Sequence, residues 1–128
     1  MSEGKILIVD DDASVRLVTA AMLERLNYAA VAVDSGAAAM AALAAQEVCA
    51  RECFDVMLLD LAMPDMSGAE LLKVMRVKYP RLPVVVMTGY ADVESALQIK
   101  TDTETRLLAK PFTVAELQTA LATSRKIA

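Results

Sequence analysis

The sequence predicts an alternating α/β domain built on a parallel sheet, and three observations predict it. Short, strongly apolar runs recur along the chain, each is followed by a residue able to cap a helix, and each cap leads into an amphipathic stretch. At 128 residues the chain has the size of one domain, expected to run over 1–128, and it shows no linker, internal repeat or low-complexity tract beyond its alanines.

Each element has its own signal. Lys5-Ile6-Leu7-Ile8-Val9 carries no charge after Lys5, as a first strand buried on both faces should. Val15, Val18, Met22 and Leu26 recur at helical spacing and define a first helix that Asn27-Tyr28 ends. Ala29 to Val33 reads as the second strand, and Ser35 can cap an alanine-rich second helix whose end near Glu47 is ill defined. Asp55-Val56-Met57-Leu58-Leu59 is the third strand, and Ser67 with Glu70 three residues on forms a capping box for the third helix. The breaker cluster Tyr79-Pro80-Arg81-Leu82-Pro83 closes that helix before Val84-Val85-Val86-Met87 opens a fourth strand. Asp92 starts a fourth helix through Val93, Ala96 and Leu97, and Thr101 to Thr105 is a connection too polar for the core. Arg106 to Ala109 is a short fifth strand, Thr113 with Glu116 makes a second capping box, and the fifth helix buries Val114, Leu117 and Leu121. Five strands and five helices with right-handed crossovers use up these residues and leave no room among them for an effector domain.

Composition excludes several function classes. An apolar content of 56% rules out intrinsic disorder, while the 23% of charged residues interrupt every hydrophobic stretch. No segment approaches the roughly 18 uninterrupted apolar residues of a spanning helix, so no membrane is expected. The polar start Met1-Ser2-Glu3-Gly4-Lys5 lacks the basic region and cleavage site of a signal peptide, and a cytoplasmic location is expected. A net charge of -4 and scattered basic residues speak against nucleic acid as a partner. The absence of His removes His-based general base catalysis and most zinc or haem sites. Cys49 and Cys53, four apart, are better read as two small apolar residues in a reduced compartment than as a redox pair.

In a sheet of this kind, ligands bind beyond the carboxyl ends of the strands, so the residues just past each strand carry the chemistry. Asp10, Asp11 and Asp12 come after the first, Asp60 after the third, Thr88 and Gly89 after the fourth, and Lys110 and Pro111 after the fifth. Only the second strand leads into ordinary turn chemistry, Asp34-Ser35-Gly36. If parallel strands gather these ends, the carboxylates repel: two charges about 5 Å apart at an effective dielectric near 20 cost roughly 3 kcal/mol. The cluster calls for a cation, and oxygen ligands without His or a nearby thiolate select magnesium or its manganese substitute. Asp10, Asp11 and Asp60 against Lys110 and a divalent ion sum to zero charge. A dianionic phosphoryl group would draw on further donors, which the Thr88 hydroxyl and loop N–H groups can supply. Taken singly, the aspartates could be a helix N-terminal cluster, Lys110 a solvated lysine and Thr88 an ordinary strand residue. Their recurrence at matching strand ends favours the site. Asp12 lies one step beyond the pair and reads as a helix cap.

Ile6-Leu7-Ile8-Val9-Asp10-Asp11, Asp60-Leu61-Ala62-Met63-Pro64-Asp65-Met66-Ser67-Gly68, Met87-Thr88-Gly89-Tyr90-Ala91 and Lys110-Pro111-Phe112-Thr113 resemble, in order, the four signatures of the response-regulator receiver domain of two-component signalling. The resemblance implies a five-stranded, doubly wound, flavodoxin-like sheet of order 2-1-3-4-5. It implies that Asp60 accepts a phosphoryl group from a histidine kinase or phosphotransfer protein. Asp11 would bind Mg2+ directly and Asp10 mainly through water, with Asp60 and the backbone carbonyl of Ala62 completing the protein ligands. Lys110 would pair with phosphoryl oxygens, Thr88 would hydrogen-bond one of them, and the Lys110–Pro111 peptide would be cis. A downstream protein partner would dock on the face of the fourth helix, fifth strand and fifth helix.

The chain departs from that pattern in places. Leu107 stands where receivers commonly carry an aromatic switch residue, Ala62 is small where a polar side chain is usual, and the usual glycine before the fifth strand is missing. Tyr90 is a candidate to shield the phosphoryl group instead. The segment Gln46 to Phe54, with both cysteines, is longer than typical. A docking module without phosphotransfer is one alternative, kept open by Leu107. A small magnesium-dependent phosphatase of the haloacid dehalogenase type is another, but it needs a second acid at the position of Ala62. The expectation is a switch protein, not an enzyme.

Overall fold

The structure is a computed structural model that describes residues 4–46, 53–61, 63, 68–89 and 105–125. Its elements are β1 (Lys5–Val9), α1 (Ala13–Arg25), β2 (Ala29–Val33), α2 (Gly36–Gln46), β3 (Val56–Asp60), α3 (Gly68–Lys78), β4 (Val84–Thr88), β5 (Thr105–Ala109) and α4 (Val114–Arg125). The last of these is the fifth helix expected from the sequence. The helix expected from Asp92 lies outside the described residues, as do Ala62, Ser67, Tyr90 and Cys49.

All five strands are parallel and lie in the order β2-β1-β3-β4-β5. Because β2 and β3 flank β1 on opposite sides, the direction in which strands are added reverses there, which opens a crevice at the carboxyl ends of β1 and β3. Successive side chains of a strand point to opposite faces. Leu7, Val9, Met57, Leu59, Val84 and Val86 therefore pack under α2 and α3 with Leu43, Leu71 and Met75. Ile6, Ile8, Val56, Leu58, Val85 and Met87 meet Leu23 of α1 and Leu117 and Leu121 of α4 on the other face. The unbroken apolar composition of β1, β3 and β4 follows from this double coverage. The edge strand β2 is exposed over Ala29–Ala32.

Three of the expected caps form, and those at Ser67 and Asp92 lie outside the described residues. Asp12 accepts hydrogen bonds from the N–H groups of Ser14 (2.8 Å) and Val15 (3.3 Å), and Ser35 Oγ accepts from Ala38 N–H (3.1 Å). Thr113 and Glu116 satisfy each other's backbone N–H at 2.9 and 3.1 Å, completing that capping box. Asn27, with φ 68°, turns the chain out of α1 in a left-handed conformation that Asn tolerates.

Two expectations are corrected. The buried residues of α1 are Thr19 and Leu23, with Val15, Met22 and Leu26 only partly buried and Val18 53% exposed. The helix is turned by about one residue from the expected stripe, which leaves Val18 beside Phe112 rather than against the sheet. Thr105 is buried as the first residue of β5, not solvated in the connection. Its hydroxyl accepts from Arg76 Nη2 at 2.9 Å, and that bond offsets the cost of burying it. Arg76 Nη1 also donates to the carbonyls of Tyr79 (3.1 Å) and Leu82 (2.5 Å), tying the end of α3 to the turn before β4.

No helix among the described residues is long and apolar enough to cross a membrane. The rotated face of α1 sets apart two truncations that the sequence pattern would treat alike. In urea unfolding, Leu23→Ala costs about 3 kcal/mol, whereas Val18→Ala costs less than about 1 kcal/mol.

Candidate functional site

Strand register builds the site. Val9 pairs with Leu59, so one residue further Asp10 and Asp60 leave neighbouring strand ends side by side. Asp60 pairs with Met87, and Thr88 with Ala109, so Thr88 and Lys110 complete the same edge. Backbone bonds extend the ladders past the strands: Asp10 N–H donates to Val33 O (3.1 Å), Leu61 N–H to Met87 O (3.1 Å) and Lys110 N–H to Thr88 O (2.6 Å). The chemistry-bearing residues are therefore held by the sheet itself.

Asp10 is fully buried and Asp60 is 5% exposed, while Asp11 is exposed. Lys110 Nζ donates to Asp10 Oδ2 and to Asp60 Oδ1, both at 3.1 Å, so one ammonium neutralises parts of two buried carboxylates. Asp10 Oδ1 also accepts from Asp12 N–H at 2.9 Å. Burial, the largest single influence on Lys110, pulls its pKa down, but the hydrogen bonds and negative charges of Asp10 and Asp60 together outweigh it and hold the pKa above the ordinary 10.5. The Lys110–Pro111 peptide is cis.

The donor set fits a hard divalent cation. Asp10, Asp11 and Asp60 each offer a carboxylate oxygen, and these atoms lie within 4.8 Å of one another. Three carboxylates against one ammonium leave two negative charges, which an ion of the magnesium or manganese type would cancel with the oxygen ligands it prefers. Every sequence-predicted site residue that lies among the described residues, namely Asp10, Asp11, Asp60, Thr88 and Lys110, falls on this one edge. Ala62, the remaining expected ligand, is outside them, and so is Asp65. Cys53 is an exposed free thiol.

Two residues that shape the site were not singled out from the sequence. Gly68 opens α3 with its N–H donating to Leu61 O at 2.9 Å, and a Cβ there would meet Asp60 O at 2.5 Å and Leu61 Cα at 2.7 Å. Only glycine lets α3 start this close to the segment carrying Asp60, and a glycine at the first position of a helix, where it adds nothing to helix stability, was the available signal. Arg16 Nη1 donates to the backbone carbonyl of Asp10 at 2.8 Å. A lone arginine on a helix gives no comparable signal, since most such residues are solvated.

The sequence and the fold both match known proteins. Residues 6–122 match the response regulator receiver domain. The chain is 38% identical over 109 residues to the response regulator protein FleR of Pseudomonas aeruginosa, covering 85% of this chain and 22% of FleR. It is 34% identical over 116 residues to the DNA-binding transcriptional regulator NtrC of Proteus hauseri, covering 91% of this chain and 23% of NtrC. It thus spans less than a quarter of the length of these two curated relatives. Its fold matches the receiver domain of a sensor histidine kinase from Pseudomonas aeruginosa with a TM-score of 0.78 and 30% identity, over 96% of this chain and 98% of that one. That domain was crystallised with a magnesium ion coordinated in its active-site cleft. With residues 6–122 matched by the family and its five parallel strands in the order 2-1-3-4-5, this chain belongs to the response regulator receiver domain family.

Proposed function

We propose that this chain, as a single receiver unit over 1–128, accepts a phosphoryl group on Asp60 from the phosphohistidine of a histidine kinase or phosphotransfer protein in a magnesium-dependent reaction. The observation that carries this reading is the buried Asp60 carboxylate sharing one lysine with Asp10 at the mouth of the crevice. The nucleophile is a carboxylate oxygen rather than a hydroxyl, so attack on phosphorus needs no general base. The Asp60 oxygen forms the new P–O bond as the P–N bond breaks, and the electron pair stays on the departing imidazole nitrogen. Lys110, within hydrogen-bond reach of Asp60, pairs with the arriving phosphoryl oxygens, and the Thr88 hydroxyl at the end of β4 donates to one of them.

Asp11 and Asp60 would hold Mg2+ directly, Asp10 mainly through water, and the carbonyl of Ala62 would complete the protein ligands; Mn2+ would substitute. The bound ion supplies charge neutralisation at the phosphoryl oxygens. Fixed positive groups around an in-line transfer are the whole of the catalysis, and the chain turns over no substrate. An apolar groove of about 480 Å³ between α1 and the segment after β5, lined by Val15, Val18, Met22, Pro111 and Phe112, runs up to Lys110 and supports docking of the phosphodonor protein there. The output partner, a protein in the cytoplasm rather than nucleic acid or membrane, is assigned to the face that β5 and α4 form with the expected helix from Asp92. Leu107, 42% exposed on β5, belongs to that face and carries no ring to rotate.

Three measurements test this reading. Incubated with magnesium and acetyl phosphate, the wild type gains the mass of one alkali-labile phosphoryl group, whereas Asp60→Asn gains none; an unmodified wild type refutes the proposal, and sustained phosphate release would favour the phosphatase. Lys110→Met slows adduct formation about 100-fold by removing a donor to the phosphoryl oxygens. The same variant unfolds about 3 kcal/mol more easily near neutral pH, because two buried carboxylates lose their shared partner. A folded-state pKa above 10.5 means that the stabilisation from Lys110 is complete below pH 10.5 and lost as pH rises through the raised value. From neutral pH the stability gap between wild type and Lys110→Met therefore stays level up to about pH 10 and narrows in stronger alkali.

A further inference from the structure

We propose that Arg16 is a positioning residue for the acidic cluster, setting the Asp10–Asp11 peptide plane and through it the carboxylate of Asp11; this deepens the phosphoacceptor reading and rests on it. Asp10 is held at every polar group. Its N–H donates to Val33 O at 3.1 Å, its two carboxylate oxygens accept from Asp12 N–H at 2.9 Å and Lys110 Nζ at 3.1 Å, and its carbonyl accepts from Arg16 Nη1 at 2.8 Å. The first three bonds fix Asp10 itself. The fourth reaches beyond it, because the carbonyl of Asp10 and the N–H and Cα of Asp11 lie in one rigid plane. Clamping that oxygen fixes the direction in which Asp11 leaves the strand.

Asp11 depends on this clamp in a way that its neighbours do not. Its side chain is exposed, and no hydrogen bond or ion pair among the described residues holds its carboxylate. Asp10 and Asp60 are aimed by Lys110 and by burial, whereas the aim of Asp11 comes from its backbone alone. Arg16 stands on the second turn of α1, whose start is fixed by the Asp12 cap and by Arg16 N–H donating to Asp12 O at 3.0 Å. The same helix thus anchors the loop at both ends, through Asp12 at its cap and through the guanidinium at Asp10. A supporting bond of this kind, one shell behind a metal ligand, typically changes metal affinity 10- to 100-fold when removed.

The test compares wild type, Arg16→Met, which keeps the length of the side chain without a donor, and Arg16→Lys, which keeps a donor and the charge. Magnesium affinity is measured by titration calorimetry, the Asp11 amide by nuclear magnetic resonance and the fold by thermal unfolding in chelator. Arg16→Met is expected to bind magnesium about tenfold more weakly, with a shifted Asp11 amide and an unchanged metal-free midpoint, and Arg16→Lys to recover part of the loss. Wild-type affinity in Arg16→Met overturns the proposal. So does a variant that loses its fold without metal, since a residue that only aims Asp11 leaves the metal-free domain intact. A wild type that takes up no magnesium instead refutes the phosphoacceptor reading, and the Asp11 amide then still decides on Arg16: unmoved in Arg16→Met, it overturns the clamp.

Discussion

Two carboxylates that the sheet forces together, and the single ammonium that lies between them, organise the carboxyl edge of this domain. Asp10 and Asp60 are buried at adjacent strand ends because β1 and β3 pair in register up to Val9 and Leu59. Left alone they would repel by several kcal/mol in a medium of low effective dielectric. Lys110, delivered from the far side of the sheet by the β4–β5 ladder, contacts both at 3.1 Å. With Asp11 nearby the cluster still carries an excess of negative charge, and the proposed function rests on that excess drawing a cation and, with the cation, a phosphoryl group.

The rest of the fold serves this edge. Strands β1, β3 and β4 are apolar on both faces and sit between two helical layers, so their ends do not shift relative to one another. Residues far apart along the chain are thereby held within a few ångströms without any direct link between them. Local devices refine the placement: Gly68 lets α3 begin against the Asp60 carbonyl, Asp12 starts α1 immediately after the acidic pair, and Arg76 ties the end of α3 to the first residue of β5.

What could be read from the residues alone divides along physical lines. The strands were legible because a doubly covered strand must be apolar throughout, and the caps at Asp12, Ser35 and Thr113 because a helix start needs an acceptor for its free N–H groups. The site was legible because its residues recur at strand ends, where ordinary sequences place turn formers. The buried side of α1 was not, because a helix with apolar residues at 15, 17, 18, 22 and 23 offers more than one plausible stripe, and the choice between Val18 and Thr19 depends on the neighbouring groove. Thr105 looked solvated because its partner, Arg76, is 29 residues away. Arg16 was invisible for a similar reason, since its bond goes to a backbone carbonyl that no side-chain pattern records.

The central claim is that these residues form one cation site. Soaking crystals of the protein in manganese and locating the ion by its anomalous scattering measures this most directly. The account predicts a single strong peak at the carboxyl edge of β1 and β3, with carboxylate oxygens of Asp11 and Asp60 in its coordination sphere. No peak there, or an ion bound only elsewhere on the acidic surface, would contradict it.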